Sequence, residues 1–415
     1  MSERLIFTSA TTVALVHALD DAFVGRQPGV DFGQHAVAAA LAVVAALAAI
    51  AAFGRLRPGL RAAIALAFGA FALVNGGLHV AHIAVDAPSN SDLTGALAAV
   101  AGAVLVGLGI AIALRHRARG PRRWVNRAVG AGGGLIVAVL VVMPVGVAIT
   151  QTHKYREPIG EPPSAAYREV RFPAADGLRL AGWYAPSKNR AAVIIVHGGG
   201  GDRTGSRDQA ALLARHGYGV LVYDARGRGE SEGSPNAYGW GWEHDVAGAL
   251  RFLRGRPDVD PERIGGLGLS TGADVLIEVA AERRDLAAVV GEGATVRSFA
   301  DYRKAGLDAL APSSWTLMAA TRAFSGSAPG EPLKELVREI SPTPLLLIAG
   351  GRGAAAPGGG EFGLSKMYAE AAREPVEFWG LPAGRHTAAI RERPEEYERR
   401  VVGFFDDALV KPGSA

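Results

Sequence analysis

The stretch Gly266-Leu267-Gly268-Leu269-Ser270-Thr271-Gly272 lies between an apolar run and an Ala-rich helical segment. In this context the pattern G-x-S-x-G predicts a nucleophile elbow, a tight strand-to-helix turn that holds its serine in a strained, exposed position. Side chains at Gly268 or Gly272 would collide with the neighbouring strand and helix, and the helix N-terminus favours negative charge on a substrate. Ser270 is therefore the candidate nucleophile, and the alternative is a structural glycine-rich turn.

A second glycine-rich motif, His197-Gly198-Gly199-Gly200-Gly201, directly follows the apolar run AAVIIV. Glycines at such a place let backbone N–H groups approach a tetrahedral oxyanion without obstruction by side chains. The expected oxyanion hole combines the N–H of Thr271 with one from Gly199 or Gly200. Read alone, the run is also typical of a flexible loop or a phosphate cradle, but it lacks the Lys-Ser/Thr ending of a P-loop.

The candidate general base is His386, in the run Ala383-Gly384-Arg385-His386-Thr387 beyond the last predicted strand. From there a histidine can reach back over the sheet edge, in the chain order nucleophile, acid, histidine. A catalytic triad also needs an anion on the far imidazole nitrogen. Glu361 is the one carboxylate in the loop after the seventh predicted strand, and Glu292, after the sixth, is the rival. We favour Glu361, in which case Glu292 is a carboxylate of the pocket wall.

From Tyr167 onward, short apolar runs alternate with longer helical stretches. This alternation predicts a mostly parallel sheet with helices on both faces, in one α/β domain of roughly 250 residues. The predicted strands are 169–172, 179–184, 192–196, 219–223, 263–269, 287–290, 344–349 and 376–381. The predicted helices are 208–216, 243–255, 272–282 and 365–373.

Four segments together resemble the α/β-hydrolase superfamily: 197–201, 223–231, 268–272 and 384–387. They are most similar to bacterial esterases of the dienelactone-hydrolase and acyl-esterase kind, over about residues 167–409. The resemblance implies an α/β-hydrolase fold of eight strands. Two departures are visible: Arg228 stands where the family often has His, and the usual Asp after strand seven is missing, so the acid stays open between Glu361 and Glu292.

The predicted reaction is cleavage of a carboxylic ester through an acyl-serine. His386 takes the proton from Ser270 and returns it to the leaving group, the oxyanion hole stabilises the intermediate, and water completes hydrolysis. This chemistry needs no metal or organic cofactor. The same residues suit an acyltransferase or a serine peptidase, and the remaining alternative is a non-catalytic binding module that acts as a membrane sensor.

A longer insertion, at about 297–341, separates predicted strands six and seven and is rich in aromatic residues and methionine. In this fold such an insertion commonly forms a lid whose apolar side lines the acyl pocket. Trp315 and Met318 in the insertion are candidate substrate-binding residues, and so is Tyr238, before the next predicted helix. The alternatives are a surface helix pair for the insertion and simple packing beneath the pocket for Tyr238.

The first third of the chain is rich in Ala, Val and Leu and differs sharply from the rest. A membrane-spanning helix needs roughly 20 predominantly apolar residues. Residues 35–54, 60–85, 92–114 and 131–150 meet this requirement, and 5–24 is a weaker fifth span. We therefore predict an all-α transmembrane region of about five helices (1–150), a Pro-rich linker (151–166) and the hydrolase domain (167–415).

Arginines indicate the orientation in the membrane, because Lys and Arg favour the cytoplasmic side. They cluster between spans 35–54 and 60–85, at Arg55, Arg57 and Arg61, and between spans 92–114 and 131–150, from Arg115 to Arg127. This places the N-terminus in the cytoplasm and the hydrolase domain outside the cell membrane. The expected partners are the lipid bilayer and a small-molecule or lipid ester.

Composition excludes other classes of function. The net charge is only +4 and the arginines form no continuous basic face, which argues against nucleic acid as a partner. The chain has no cysteine, which excludes thiolate catalysis and Cys-based metal sites.

Ionisable residues lie near the outer ends of two predicted spans. His79, His82 and Asp86 share one helical face, and His17 and Asp20 share another. Such groups at membrane depth are candidates for metal binding or proton relay. We favour the simpler interpretation, hydrated helix ends that hydrogen-bond to each other.

Overall fold

The computed structural model describes residues 2–25, 29–30, 32–83, 90–115, 132–152, 159–304, 311–352 and 360–410. The chain divides into two compact units. The first unit is Met1–Tyr155 with Pro312–Gly326, and the second is Arg156–Ala311 with Ser327–Ala415. The boundary at Tyr155 falls within the Pro-rich segment.

The first unit is built from long helices. They are α1 (Glu3–Phe23), α2 (Ala36–Phe53), α3 (Pro58–Ile83), α4 (Asn90–Arg115) and α5 (Gly132–Thr152), the last with a π-helical turn at Ala138–Val142. Among the described helices, α2, α3, α4 and α5 are long and apolar enough to cross a membrane. Helix α1 forms, but with acidic residues at both ends it is not one of these four candidates, so four of the five predicted spans have matching apolar helices.

Glycines allow α3 and α4 to pack closely against each other. A Cβ on Gly102 of α4 would lie 2.8 Å from the Leu73 nitrogen and 2.9 Å from the Gly69 oxygen of α3. A Cβ on Gly76 of α3 would collide with the backbone of α4. Small residues at helix interfaces are typical of membrane proteins, where close backbone approach replaces hydrophobic burial as the source of stability.

The second unit contains an eight-stranded sheet in the order β1-β2-β4-β3-β5-β6-β7-β8. Strand β2 pairs antiparallel with β1 and β4, and the other pairs are parallel. This confirms the predicted fold class. The strands are β1 (Arg168–Pro173), β2 (Arg179–Ala185), β3 (Ala192–Val196), β4 (Gly219–Tyr223), β5 (Ile264–Leu269), β6 (Val289–Glu292), β7 (Leu345–Gly350) and β8 (Val376–Leu381).

The central strands are apolar on both faces because helices cover both sides of the sheet. In β3, Val193 and Ile195 enter one core, whereas Ile194 and Val196 enter the other. The helices that follow α5 are α6 (Arg207–Arg215), α7 (Trp242–Arg254), α8 (Thr271–Arg283), α9 (Phe299–Lys304), α10 (Ala311–Ser325), α11 (Leu333–Glu339), α12 (Gly360–Ala371), α13 (Ala389–Glu392) and α14 (Pro394–Phe405).

The insertion between β6 and β7 is divided between the two units. Helix α10 belongs to the first unit. A Cβ on Gly326, the residue after α10, would lie 3.4 Å from the backbone oxygen of Gln34 in the same unit. Helix α11 belongs to the second unit and contributes Leu333, Leu336 and Val337 to its hydrophobic core. The predicted role of this insertion as a lid stays a prediction.

Candidate active site

The turn between β5 and α8 has the backbone strain expected of a nucleophile elbow. Ser270 has φ 55° and ψ −121°, in a region that side-chain-bearing residues rarely adopt. A Cβ on Gly268 would collide with the backbone of Gly272 and Ala273, and one on Gly272 would collide with the Val196 oxygen. The Ser270 N–H donates to the backbone carbonyl oxygen of Glu292 (2.7 Å), which fixes the turn to the end of β6.

The glycine loop after β3 lies directly beside this turn. A Cβ on Gly198 would be 3.4 Å from the Ser270 Cβ, and one on Gly199 would be 2.7 Å from the Thr271 Oγ1. A Cβ on Gly200 would meet nothing within 4 Å. Only glycine permits such a close approach at Gly199, so the structure brings two of the predicted oxyanion-hole residues, Gly199 and Thr271, together.

His197, the first residue of the motif, has a structural position. Its Nε2 accepts a hydrogen bond from the Ala225 N–H (3.0 Å), and its buried ring lies 5.3 Å from the Trp242 ring. The imidazole therefore connects the glycine loop to the segment that follows β4.

That segment, 224–231, is held by buried ion pairs. Arg203 Nη1 lies 2.8 Å from Asp224 Oδ2, and Arg226 Nη2 lies 2.7 Å from Asp245 Oδ1. Arg228, which stands where the family often has His, is also buried, and burial lowers its pKa to about 10.

His386 and Glu361 meet beyond the ends of β7 and β8. The His386 Nδ1 lies 2.6 Å from Glu361 Oε2, and Glu361 Oε1 accepts the Gly350 N–H at 2.8 Å. The Glu361 side chain is 12% exposed and the His386 side chain 49% exposed. Within the described part of the chain, no hydrogen bond joins Ser270 Oγ to His386; catalytic contacts of this kind often tighten only when substrate binds.

The charge of Glu361 affects the imidazole directly. The hydrogen bond that His386 Nδ1–H donates to the Glu361 carboxylate raises the pKa of His386 above 6.5, while partial burial opposes this rise. An anion on Nδ1 fixes the tautomer that leaves the Nε2 lone pair available, and it stabilises the imidazolium that forms during catalysis. Glu361 thus has the geometry and the electrostatic effect that a triad acid requires.

Glu292, the rival acid, has a different environment. It is the last residue of β6 and not part of the following loop, so the predicted strand ended two residues too early. Its buried carboxylate accepts the Ala389 N–H (2.9 Å), and desolvation raises the pKa of Glu292 to about 7. Of the two carboxylates, Glu361 makes the described hydrogen bond with His386.

The sequence reasoning missed one residue that shapes the histidine's position. Gly293 has φ +75°, and a Cβ there would lie 2.9 Å from His386 Cε1. Glycine at position 293 therefore leaves the space that the His386 imidazole occupies. The signal was present as the second glycine of Gly291-Glu292-Gly293, directly after an apolar run.

The three candidate substrate-binding residues have different surroundings. Tyr238 is 9% exposed and stacks on Trp240, with ring centroids 4.9 Å apart. This stacking fits the alternative that the loop packs beneath the site. Trp315 is exposed and Met318 is buried, and both lie on α10 in the first unit. Their contact with substrate stays a prediction.

Comparisons with known proteins bear on this site and its fold. The profile of the family described as X-Pro dipeptidyl-peptidase (S15 family) matches residues 149–344. The uncharacterised protein Rv2307c of Mycobacterium tuberculosis (strain ATCC 25618 / H37Rv) is 30% identical over 289 residues, which are 64% of this chain and 91% of Rv2307c. The uncharacterised protein YfhR of Escherichia coli (strain K12) is 28% identical over 283 residues, 66% of this chain and 93% of YfhR.

Among solved structures, the esterase Pf2001 of Pyrococcus furiosus superposes with a TM-score of 0.50 at 24% identity. The match covers 61% of this chain and 97% of that chain, and at this identity it demonstrates a shared fold alone. The sheet order and the elbow at Ser270 are those of an α/β-hydrolase fold. The similarity to Rv2307c extends over nearly the whole length of that protein. The chain belongs to the α/β-hydrolase superfamily, in a family with Rv2307c, and is a hydrolase of the esterase or peptidase type.

Proposed function

We propose that the protein is a membrane-anchored serine hydrolase that cleaves carboxylic esters. The observation that carries the proposal is the 2.6 Å hydrogen bond between His386 Nδ1 and Glu361 Oε2, in a fold whose elbow presents Ser270. A serine, a histidine and a carboxylate in this chain order are the working parts of acyl transfer.

In the proposed mechanism, Ser270 Oγ attacks the ester carbonyl carbon while His386 Nε2 takes the hydroxyl proton. The carbonyl oxygen becomes an oxyanion, which accepts hydrogen bonds from the backbone N–H groups of Thr271 and of Gly199 or Gly200. The bond to the leaving alkoxide then breaks, and His386 donates its proton to that oxygen. Water attacks the acyl-serine with His386 again as the base, which releases the acid and restores Ser270.

A serine peptidase is the second candidate, and the profile match to the X-Pro dipeptidyl-peptidase family favours it. We prefer the ester because the motifs of the second unit resemble those of bacterial esterases. An acyltransferase would use the same residues and pass the acyl group to an alcohol in place of water.

Substrate choice is tested with the full-length protein in detergent micelles. We expect release of p-nitrophenol from short- and long-chain p-nitrophenyl esters, and none by the Ser270→Ala variant. Faster cleavage of Ala-Pro-p-nitroanilide than of every ester would contradict the ester proposal and support the peptidase. Transfer of most of the acyl group to added glycerol would support the acyltransferase.

We further propose that α2 to α5 cross the cell membrane, with α1 as a fifth crossing and the N-terminus in the cytoplasm. The arginines of the loop after α2, Arg55 and Arg57, support this orientation, because basic residues favour the cytoplasmic side. The hydrolase unit would then meet its ester at the outer surface, where both lipid esters and small-molecule esters are available.

A further inference from the structure

A second polar cluster lies within the first unit, whereas the residues of the proposed triad belong to the second unit. It consists of His17 and Asp21 of α1 and His79 of α3, and one ligand atom from each lies within 4.8 Å of the other two. His79 Nε2 is 3.3 Å from Asp21 Oδ1, and His17 Nε2 is 3.9 Å from Asp21 Oδ2. Both imidazoles are buried, at 1% and 5% exposure, so they are not hydrated helix ends.

The opposite nitrogens of the two imidazoles have partners of their own on α4. His17 Nδ1 lies 3.1 Å from Thr94 Oγ1, which in turn lies 2.7 Å from Asp20 Oδ2. His79 Nδ1 lies 3.0 Å from Asp92 Oδ1. Metal-binding histidines characteristically use the second nitrogen in this way, since an N–H donated to a carboxylate or hydroxyl fixes the tautomer and orients the ring.

Close packing also fixes the position of His79. A Cβ on Gly95 of α4 would collide with the His79 imidazole. The His17 and His79 rings meet edge to face, with centroids 4.6 Å apart. Asp86, which the sequence pattern grouped with His79, lies outside the described residues, and Asp92 is the carboxylate that the structure brings to both His79 and His82.

We propose that His17 Nε2, His79 Nε2 and a carboxylate oxygen of Asp21 bind a divalent first-row metal ion, with Zn²⁺ as the best match. Two imidazoles and one carboxylate are a donor set that suits Zn²⁺. Two ligands about 2 Å from a shared tetrahedral ion lie roughly 3.3 Å apart. The distance from His79 Nε2 to Asp21 Oδ1 already has this value. His17 Nε2 lies 3.9 Å from Asp21 Oδ2, and the three ligand atoms lie within 4.8 Å of one another, so His17 would move closer when the ion binds.

Three protein ligands leave the fourth position of a tetrahedral ion open for water or a small ligand, which is the arrangement of reactive zinc sites and not of closed structural ones. The ion would also link α1 to α3, so its binding would stabilise the folded helices. The site is independent of the proposed ester hydrolysis, because all of its ligands and their hydrogen-bond partners lie in the first unit.

The test is metal content in tag-free, full-length protein purified in detergent. Protein stripped with a chelator, dialysed against Zn²⁺ and freed of excess ion is analysed by inductively coupled plasma mass spectrometry. We expect about one Zn²⁺ per chain in the native protein, and little retained Zn²⁺ in His17→Gln, His79→Gln and Asp21→Asn, because each variant lacks one of the three protein ligands. His216→Gln is the control, because it removes a histidine that pairs with a carboxylate, Glu398, in the second unit.

Two further measurements keep the test decisive if a ligand variant fails to fold. Co²⁺ in place of Zn²⁺ should give the strong visible absorption of a tetrahedral site in the native protein, and Zn²⁺ should raise the Tm of native protein. Native protein that retains no Zn²⁺ and gives no Co²⁺ spectrum overturns the proposal, whatever the variants do. Full retention of Zn²⁺ by folded His79→Gln protein also overturns it.

Discussion

The hydrogen bond between Glu361 and His386 is the single contact on which the proposed chemistry depends most, because it links the first turn of α12 to the loop beyond β8. The sequence places Glu361 in the loop after β7, but α12 begins at Gly360, five residues earlier than the predicted helix. Changing Glu361 to Gln should lower kcat/KM for ester hydrolysis by about 10²–10⁴-fold, since the amide neither fixes the tautomer nor stabilises the imidazolium. Glu292→Gln is the matched control and should cost far less. Equal losses in the two variants, measured as kcat/KM on one ester, would contradict the assignment of the acid.

The same contact predicts a pH dependence of activity. A general base must be neutral, and the hydrogen bond that His386 donates to Glu361 raises the pKa of His386 above its usual 6.5. Activity should therefore rise with pH through an inflection above 6.5 in the profile of kcat/KM. In Glu361→Gln protein the inflection should move to lower pH; an inflection unchanged by that substitution would argue against the contact in the working enzyme.

Glu292 gives a prediction about stability. Its buried carboxyl has a pKa raised from 4.5 to about 7, so ionisation is harder in the folded state than in the unfolded one. Between these two pKa values the unfolded state binds fewer protons, so the contribution of Glu292 to the free energy of unfolding falls as pH rises. The Tm of Glu292→Gln protein minus that of native protein should therefore increase between about pH 5 and about pH 8, by an amount equivalent to roughly 1–3 kcal/mol. A constant difference would show that this carboxyl titrates normally.

Ser270, His386 and both acid candidates could be selected from the sequence, because each lies in a motif or in the segment that follows a predicted strand. The order of the strands then sets which of these segments meet at one edge of the sheet. The sequence did not indicate Gly293 as part of the histidine's surroundings. That role depends on a positive φ and on a contact with a residue far along the chain, neither of which a local pattern contains.

At the scale of elements, the close packing of α3 and α4 gives a direct test of the membrane-type interface. Gly102→Leu should lower the Tm in detergent, because the new side chain would meet the backbone of α3, and overpacking of this kind costs about 1–3 kcal/mol. Gly107→Leu, on the same helix, is the control, since a Cβ there would meet nothing within 4 Å. Similar Tm values for the two variants would mean that the helices do not pack as described.

Most strands of the sheet could be predicted because continuous apolar runs bounded by turns are typical of strands buried on both faces. Strand β6 was misplaced by two residues, since pairing with β5 and β7 extends it to the polar Glu292. Helix α14 was missed: its charged sequence hides an apolar stripe of Tyr397, Val401, Val402 and Phe405 that is recognisable only at helical spacing.

For the whole molecule, the central prediction is the orientation in the membrane. The native chain has no cysteine, so a single introduced cysteine reports its own exposure to a membrane-impermeant maleimide. Lys188→Cys, at an exposed position of the hydrolase unit, should be labelled in intact cells, whereas Arg55→Cys, in the loop after α2, should be labelled only after lysis. Labelling of Arg55→Cys alone in intact cells would reverse the proposed topology.

The apolar helices α2 to α5 could be predicted from composition, because the requirements of a bilayer and of a water-exposed surface differ. The assignment of α10 to the first unit could not. Its sequence lies inside the hydrolase part, and only contacts between distant segments determine which unit a helix joins.

The claim that Ser270 is an activated nucleophile is tested most directly by labelling with a fluorophosphonate probe. The experiment uses full-length protein in detergent, with Ser270→Ala as the test variant. Ser187→Ala is the control, because it removes a partly buried serine elsewhere in the same unit. We predict that native and Ser187→Ala proteins are labelled and that Ser270→Ala protein is not. Absence of labelling in folded native protein, or labelling that persists in Ser270→Ala, would contradict the account.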